Sequence, residues 1–120
     1  MVACSFVPWN VSQYAEIVRA LTGWSYTVHE AAQLGERVAT LGRIYNLREG
    51  LTTADDTLPK RMFGPTQRGA LKDGGVDREK MQEAIRMFYG VMGWDEDTGI
   101  PTRANLGELK ITWAAESIPA

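Results

Sequence analysis

Residues 27–50 read TVHEAAQLGERVATLGRIYNLREG, the longest continuous helical pattern in the chain. Apolar side chains recur every three or four positions and therefore share one helix face: Ala31, Leu34, Val38, Leu41 and Tyr45. Thr27 and Glu30 have the spacing of a capping box, and Gly50 follows where a left-handed C-terminal cap is expected. The stretch therefore predicts a helix over 28–48, around which the rest of the fold is arranged.

One further helix is predicted before this one, over 11–21, and two are predicted after it, over 78–92 and 103–109. Each has a side-chain cap in front of it, supplied by Asn10, Asp77 and Thr102. Glycine followed by tryptophan ends two of them, at 23–24 and at 93–94, which is typical of a helix C-terminus with an apolar residue packing back. Apolar residues of these helices are expected to face Leu34, Val38 and Leu41, namely Ile17, Leu21, Ile85 and Phe88.

Residues 51–76 are rich in glycine, proline and turn-forming polar residues. Such a long stretch without regular structure is uncommon in a compact domain and often wraps a surface. Asp55 or Asp56 is expected to meet an arginine of the long helix as this loop folds over it. The predicted fold is all-α: an irregular bundle of three main helices, a short C-terminal helix and a long wrapping loop, forming a single domain over 1–120.

Composition excludes several classes of function. The chain has 120 residues, a formal charge of −2 and one cysteine. There is no basic footprint for nucleic acid and no apolar run long enough for a membrane span. The chain has no signal-peptide pattern and cannot form an internal disulfide, which fits a cytoplasmic setting.

Residues 1–9, MVACSFVPW, form an apolar lead-in. A free domain rarely exposes Val2, Phe6, Val7 and Trp9 together, so this lead-in favours a fragment of a larger protein. Left uncovered, it would favour self-association.

Several blocks resemble the C-terminal helical region of the tungsten-dependent aldehyde ferredoxin oxidoreductases. The long helix is similar to that family's GERxxxLxRxFNxREG block, and DDTLPKR at 55–61 to its DDxLPxR loop. The other matching blocks are Cys4–Phe6, Thr22–Trp24, Gly93–Asp95 and Gly99–Thr102. The resemblance is collinear and runs from about Ala3 to Leu109.

This resemblance implies a parent enzyme that oxidises an aldehyde to a carboxylic acid at a tungsten or molybdenum bis-pterin. Electrons would pass through a 4Fe-4S cluster to ferredoxin. Cys4 matches the family's fourth cluster cysteine, and Ser5 matches a residue that contacts the pterin. The other three cysteines would lie in the N-terminal cofactor-binding part of the same enzyme, so the isolated chain would hold no cofactor and have no activity.

The residues themselves leave other interpretations open. A lone cysteine such as Cys4 is usually an inert, buried thiol, and His29 is interpreted as a surface residue. The Asp95–Gly99 loop departs from the calcium-loop pattern, and no catalytic triad or phosphate-binding loop is present. A stand-alone helical module for protein–protein interaction is therefore the alternative function. Nothing in the sequence specifies the aldehyde, the metal or the oligomeric state.

Overall fold

The computed structural model describes residues 6–69, 72 and 74–118. It contains four α-helices: α1 (Val11–Thr22), α2 (Val28–Arg48), α3 (Arg78–Val91) and α4 (Arg103–Glu108). Three short 3-10 helices lie at Thr53–Asp55, Lys60–Phe63 and Thr112–Ser117. Within the described ranges there is no strand, and Trp94 and Pro101 form one isolated antiparallel bridge. The all-α prediction is confirmed, and every predicted helix boundary lies within one residue of the observed one.

The predicted helix caps form the expected hydrogen bonds. At the start of α2 the Thr27 amide donates to Glu30 Oε2 at 2.8 Å, and the Glu30 amide donates to Thr27 Oγ1 at 3.1 Å. Asp77 accepts from the amides of Glu79 and Lys80 at the start of α3. Gly50, with φ +92°, ends α2 in the left-handed conformation that glycine adopts readily. Local side-chain chemistry therefore determines where these helices begin and end.

Contacts between residues divide the chain into two compact units, with the division inside α2 after Ala39. The first unit contains α1 and the N-terminal half of α2. Its only buried hydrophobic residue among those described is Ala15. The second unit, from Thr40 onward, contains the rest of α2, the loop, α3 and the C-terminal elements.

The hydrophobic core of the second unit lies between α2 and the C-terminal elements. It consists of Ile44, Leu106, Leu109, Ile111 and Ala114, with Leu41, Ala115 and Ile118 packed against it. The C-terminal segment over 106–114 therefore supplies four of the five buried residues of this core.

The predicted core stripe of α2 is wrong for two of its three central leucine and valine positions, whereas the third, Leu41, packs against the observed core. Leu34 and Val38 are exposed, as are their expected partners Leu21 and Phe88. The buried face of α2 is instead Thr40, Arg43, Ile44 and Leu47. This face keeps the helical spacing, but two of its members are polar, so a search for apolar periodicity selects the neighbouring stripe.

The loop over 51–76 contains two 3-10 turns and is tied down at several points. Thr52 and Asp55 form a capping box around the first turn. The Val76 amide donates to the Met62 carbonyl oxygen at 2.8 Å, which brings the end of the loop back to its second turn. No helix within the described part of the chain is both long and apolar enough to cross a membrane.

Candidate functional site

The most highly connected polar site in the second unit is centred on Arg43. Its side chain is buried and forms an ion pair with Asp56, with 2.8 Å between Nη1 and Oδ2. Nε donates to the Gly99 carbonyl oxygen at 2.9 Å, and Nη2 donates to the Tyr89 hydroxyl at 3.4 Å. The Tyr89 hydroxyl in turn donates to Asp56. One guanidinium thus joins α2, the wrapping loop, α3 and the 95–101 turn. We call the four residues that make these contacts the Arg43 cluster: Arg43, Asp56, Tyr89 and Gly99.

Aromatic rings enclose the guanidinium. The Arg43 Cζ atom lies 5.3 Å from the centre of the Tyr89 ring and 5.7 Å from that of Trp94, within the range of cation–π attraction. The indole Nε1 of Trp94 donates to Thr40 Oγ1 at 3.4 Å. The aromatic groups therefore exclude water from the charge while Asp56 neutralises it.

Glycine at position 99 is required by this arrangement. Its φ is +62°, and a Cβ atom placed there would lie 2.4 Å from Arg43 Nη2 and 2.8 Å from Tyr89 Cζ. A side chain would therefore displace the guanidinium as well as strain the backbone.

Tyr89 is the titratable group that the site perturbs most clearly. Burial, followed by the hydrogen bond to Asp56 and the negative charge of Asp56, raises the pKa of Tyr89 to about 12, and Arg43 opposes this rise. The neutral phenol is therefore the form that the folded protein favours, consistent with its role as a hydrogen-bond donor.

We expect the Tyr89 phenol to ionise near pH 12, above the ordinary range of tyrosine. Between the unfolded pKa near 10 and the folded value of about 12, only the unfolded state loses this proton, so stability falls as pH rises through that window. Phenolate absorbance during alkaline titration measures this, and Tyr89→Phe should remove a step near pH 12. If that variant loses a step near pH 10 instead, Tyr89 is not perturbed.

The chemistry of the Arg43 cluster points to a structural role. Nε and both Nη groups of Arg43 have partners within the protein, so the guanidinium is committed to internal contacts. The predicted proximity of the loop to α2, with Asp55 or Asp56 near an arginine, is confirmed by the pair with Asp56. Arg48, by contrast, pairs with its neighbour Glu49 on the surface.

The residues that the sequence proposed for cofactor chemistry are Cys4 and Ser5, and both lie outside the described residues. His29 is exposed in the first turn of α2, as predicted. Within the described ranges, no group of three or more histidine, cysteine, aspartate or glutamate side chains could hold a metal ion. The described residues therefore give no geometry for a cluster.

The acidic residues considered as candidates act as turn and cap groups. Asp55 accepts from the Thr52 amide at 2.8 Å. Asp95 accepts from the amides of Asp97 and Thr98 and from the Thr98 hydroxyl, and these hydrogen bonds lower its pKa. Such bonds close the turn locally.

Sequence reasoning missed the functions of Tyr89 and Gly99 in the Arg43 cluster and of Trp94 beside it. The sequence indicates for Trp94 only a residue that packs on a helix end, and it assigns no function to Tyr89. One signal in the sequence could have indicated the cluster. Arg43 lies one and four residues before Ile44 and Leu47, so the three side chains share one face of α2. An arginine on a buried face is rarely found without a partner of opposite charge.

Comparison with known proteins gives a consistent family match. The family model described as "Aldehyde ferredoxin oxidoreductase, domains 2 & 3" matches residues 1–111. The tungsten-containing aldehyde ferredoxin oxidoreductase of Pyrococcus furiosus is 35% identical over 90% of this chain and 18% of its own length. The protein of the same name from Thermococcus kodakarensis is 32% identical over 90% of this chain and 18% of its own length.

Two further matches broaden the comparison. The "aliphatic sulfonate oxidoreductase, WOR-like subunit" of Pyrococcus furiosus is 30% identical over 98% of this chain and 20% of its own length. The active-site complex BamBC of benzoyl coenzyme A reductase, solved with 1,5-dienoyl-CoA, has a chain that superposes with a TM-score of 0.72 at 23% identity. That superposition covers 91% of this chain and 15% of the other, and it shows a shared fold. The chain thus spans about a fifth of the length of the curated relatives it matches.

Proposed function

The chain belongs to the aldehyde ferredoxin oxidoreductase family, and from this premise we propose that it is the C-terminal helical domain of an enzyme that oxidises an aldehyde to a carboxylic acid. The observation that carries the proposal is the match over residues 1–111.

The relatives support an aldehyde as the substrate class. The two more similar relatives are tungsten-containing aldehyde ferredoxin oxidoreductases, whereas the relative named for aliphatic sulfonates is less similar. Electrons from the oxidation would leave through a 4Fe-4S cluster to ferredoxin. The tungsten or molybdenum bis-pterin would be held by the N-terminal part of the same enzyme.

This chain cannot hold a four-iron cluster by itself. Such a cluster is normally held by four thiolates, and the sequence contains one cysteine, Cys4. We therefore assign to Cys4 the fourth ligand of a cluster whose other ligands come from the rest of the enzyme. Ser5, the next residue, is assigned a contact with the pterin. Both assignments rest on the match of Cys4–Phe6 to the family pattern.

In the enzyme that carries this segment, Cys4→Ala is expected to lower cluster iron and ferredoxin reduction. The substitution removes one of four thiolate ligands, while the caps and core that determine the helices are unaffected. Iron per polypeptide and the electron paramagnetic resonance of the reduced cluster measure the loss, and circular dichroism checks the fold.

Val2→Ala is the matched control, since it also truncates a side chain to a methyl group two residues away. It should retain cluster iron. Normal iron content and normal ferredoxin reduction in the Cys4→Ala enzyme would contradict the role assigned to Cys4. The 120-residue chain alone should have one titratable thiol and bind no iron.

A further inference from the structure

The first unit carries an apolar groove between α1 and the start of α2. Its lining includes Val11, Tyr14, Val18, Trp24, Ala31 and Leu34, and it encloses about 610 Å³. None of the described residues that line it is charged. We call this feature the α1–α2 groove, and we infer that it binds an apolar segment of the parent enzyme from outside this chain. This inference rests on the proposed function.

The first unit has too little core of its own. Among its described residues the only buried hydrophobic side chain is Ala15, while Trp24 is 67% exposed and Val38 63% exposed. Helices of this length depend mainly on the burial of an apolar face rather than on intrinsic propensity. Without a partner, two amphipathic helices would keep their large side chains in water, so the unit needs a surface against which to bury them.

The chemistry of the groove determines what can occupy it. A charged group would lose its water on entering a lining that carries no charge, where the only side-chain polar groups besides the Trp24 indole N–H are the hydroxyls of Tyr14, Thr22 and Tyr26. Aliphatic and aromatic side chains would instead be favoured by about 25 cal/mol for each Å² of apolar surface removed from water. The occupant is therefore an uncharged apolar helix or loop.

The remainder of the parent enzyme is the occupant best supported. The family match over residues 1–111 includes every residue of the groove, so the groove belongs to the family region. The curated relatives continue for most of their length outside the matched region. In the solved chain of the same fold, this region likewise makes up 15% of a longer polypeptide. Permanent interfaces between protein chains are more hydrophobic than transient ones and resemble a domain core cut in two, and the uncharged lining of this groove has the same character.

Oxidative footprinting of tryptophan tests the inference without any substitution. Trp24 lines the groove, and Trp94, 7% exposed, serves as an internal buried standard. In the 120-residue chain Trp24 should be oxidised much faster than Trp94, whereas in the parent enzyme the two rates should be similar. A Trp24 rate that is the same in the enzyme and in the chain would overturn the inference. Protection of Trp24 in the chain alone that increases with protein concentration would instead indicate a second copy as the occupant, which also overturns it.

A pair of substitutions gives a second readout. Leu34→Asp places a charge in the groove, while Ala32→Asp places the same charge at an exposed position of α2 outside the groove. Leu34→Asp should lower the melting temperature of the parent enzyme more than Ala32→Asp does, and the two should have equal effects in the isolated chain. Equal effects of the two variants in the enzyme would contradict the inference.

The two proposals fail in different ways. If the Cys4→Ala enzyme keeps its cluster, the ligand role proposed for Cys4 fails even if Trp24 is protected. If Trp24 remains reactive in an enzyme whose cluster depends on Cys4, only the groove assignment fails.

Discussion

Replacing Arg43 by methionine is expected to lower the free energy of unfolding of the chain by about 3 kcal/mol, the lower end of the cost of removing one partner from a buried ion pair, because the Asp56 side chain is 30% exposed. Methionine keeps much of the side-chain volume but none of the donors. Asp56 would lose its counter-charge, and the Gly99 carbonyl oxygen would lose the Nε donor 2.9 Å away. Urea denaturation followed by circular dichroism measures the change.

Arg48→Met is the matched control for this experiment. Arg48 lies on the same helix and also forms an ion pair, with Glu49 at 2.9 Å, but both side chains are about half exposed. Exposed pairs contribute about 0–1 kcal/mol, so the control should unfold at nearly the wild-type urea concentration. If Arg43→Met costs no more than Arg48→Met, the Arg43 cluster does not stabilise the fold.

The second large effect is expected in the apolar core. Leu106→Ala should destabilise the chain by about 2–5 kcal/mol, because it removes a fully buried side chain and leaves a cavity. Leu106 is 1% exposed and packs in the cluster with Ile44, Leu109 and Ile111. The same urea titration measures it.

Leu34→Ala provides the matched control, since it makes the same chemical change where the leucine is exposed. Surface substitutions usually change stability by less than about 0.5 kcal/mol. Equal losses for Leu106→Ala and Leu34→Ala would place the core on the stripe predicted from sequence, and the observed packing would be wrong.

The helices could be predicted because their boundaries depend on nearby residues. Asn10, Thr27, Asp77 and Thr102 each cap the helix that follows them, and the capping hydrogen bonds reach only two or three residues along the chain. The core depends on residues far apart in sequence. The choice between the face with Leu34 and Val38 and the face with Ile44 and Leu47 is made by the C-terminal segment, which no local pattern reveals.

The Arg43 cluster could be predicted only in part. Charge alone indicated that an arginine of α2 would meet Asp55 or Asp56, and the pair formed is Arg43 with Asp56. The contributions of Tyr89 and Gly99 come from elements more than forty residues away from Arg43 in sequence. In sequence alone, a tyrosine on a helix and a glycine in a turn are both common and indicate no particular contact. Their contacts with Arg43 form only when folding brings α3 and the 95–101 turn against α2.

The most direct test of the family-based account is to isolate from source cells the polypeptide that carries this sequence, determine its mass and measure its metals. The account predicts a chain several times heavier than the 13.3 kDa of this segment, containing iron together with tungsten or molybdenum. A metal-free native polypeptide of 13.3 kDa would contradict the account and would favour a stand-alone helical interaction module.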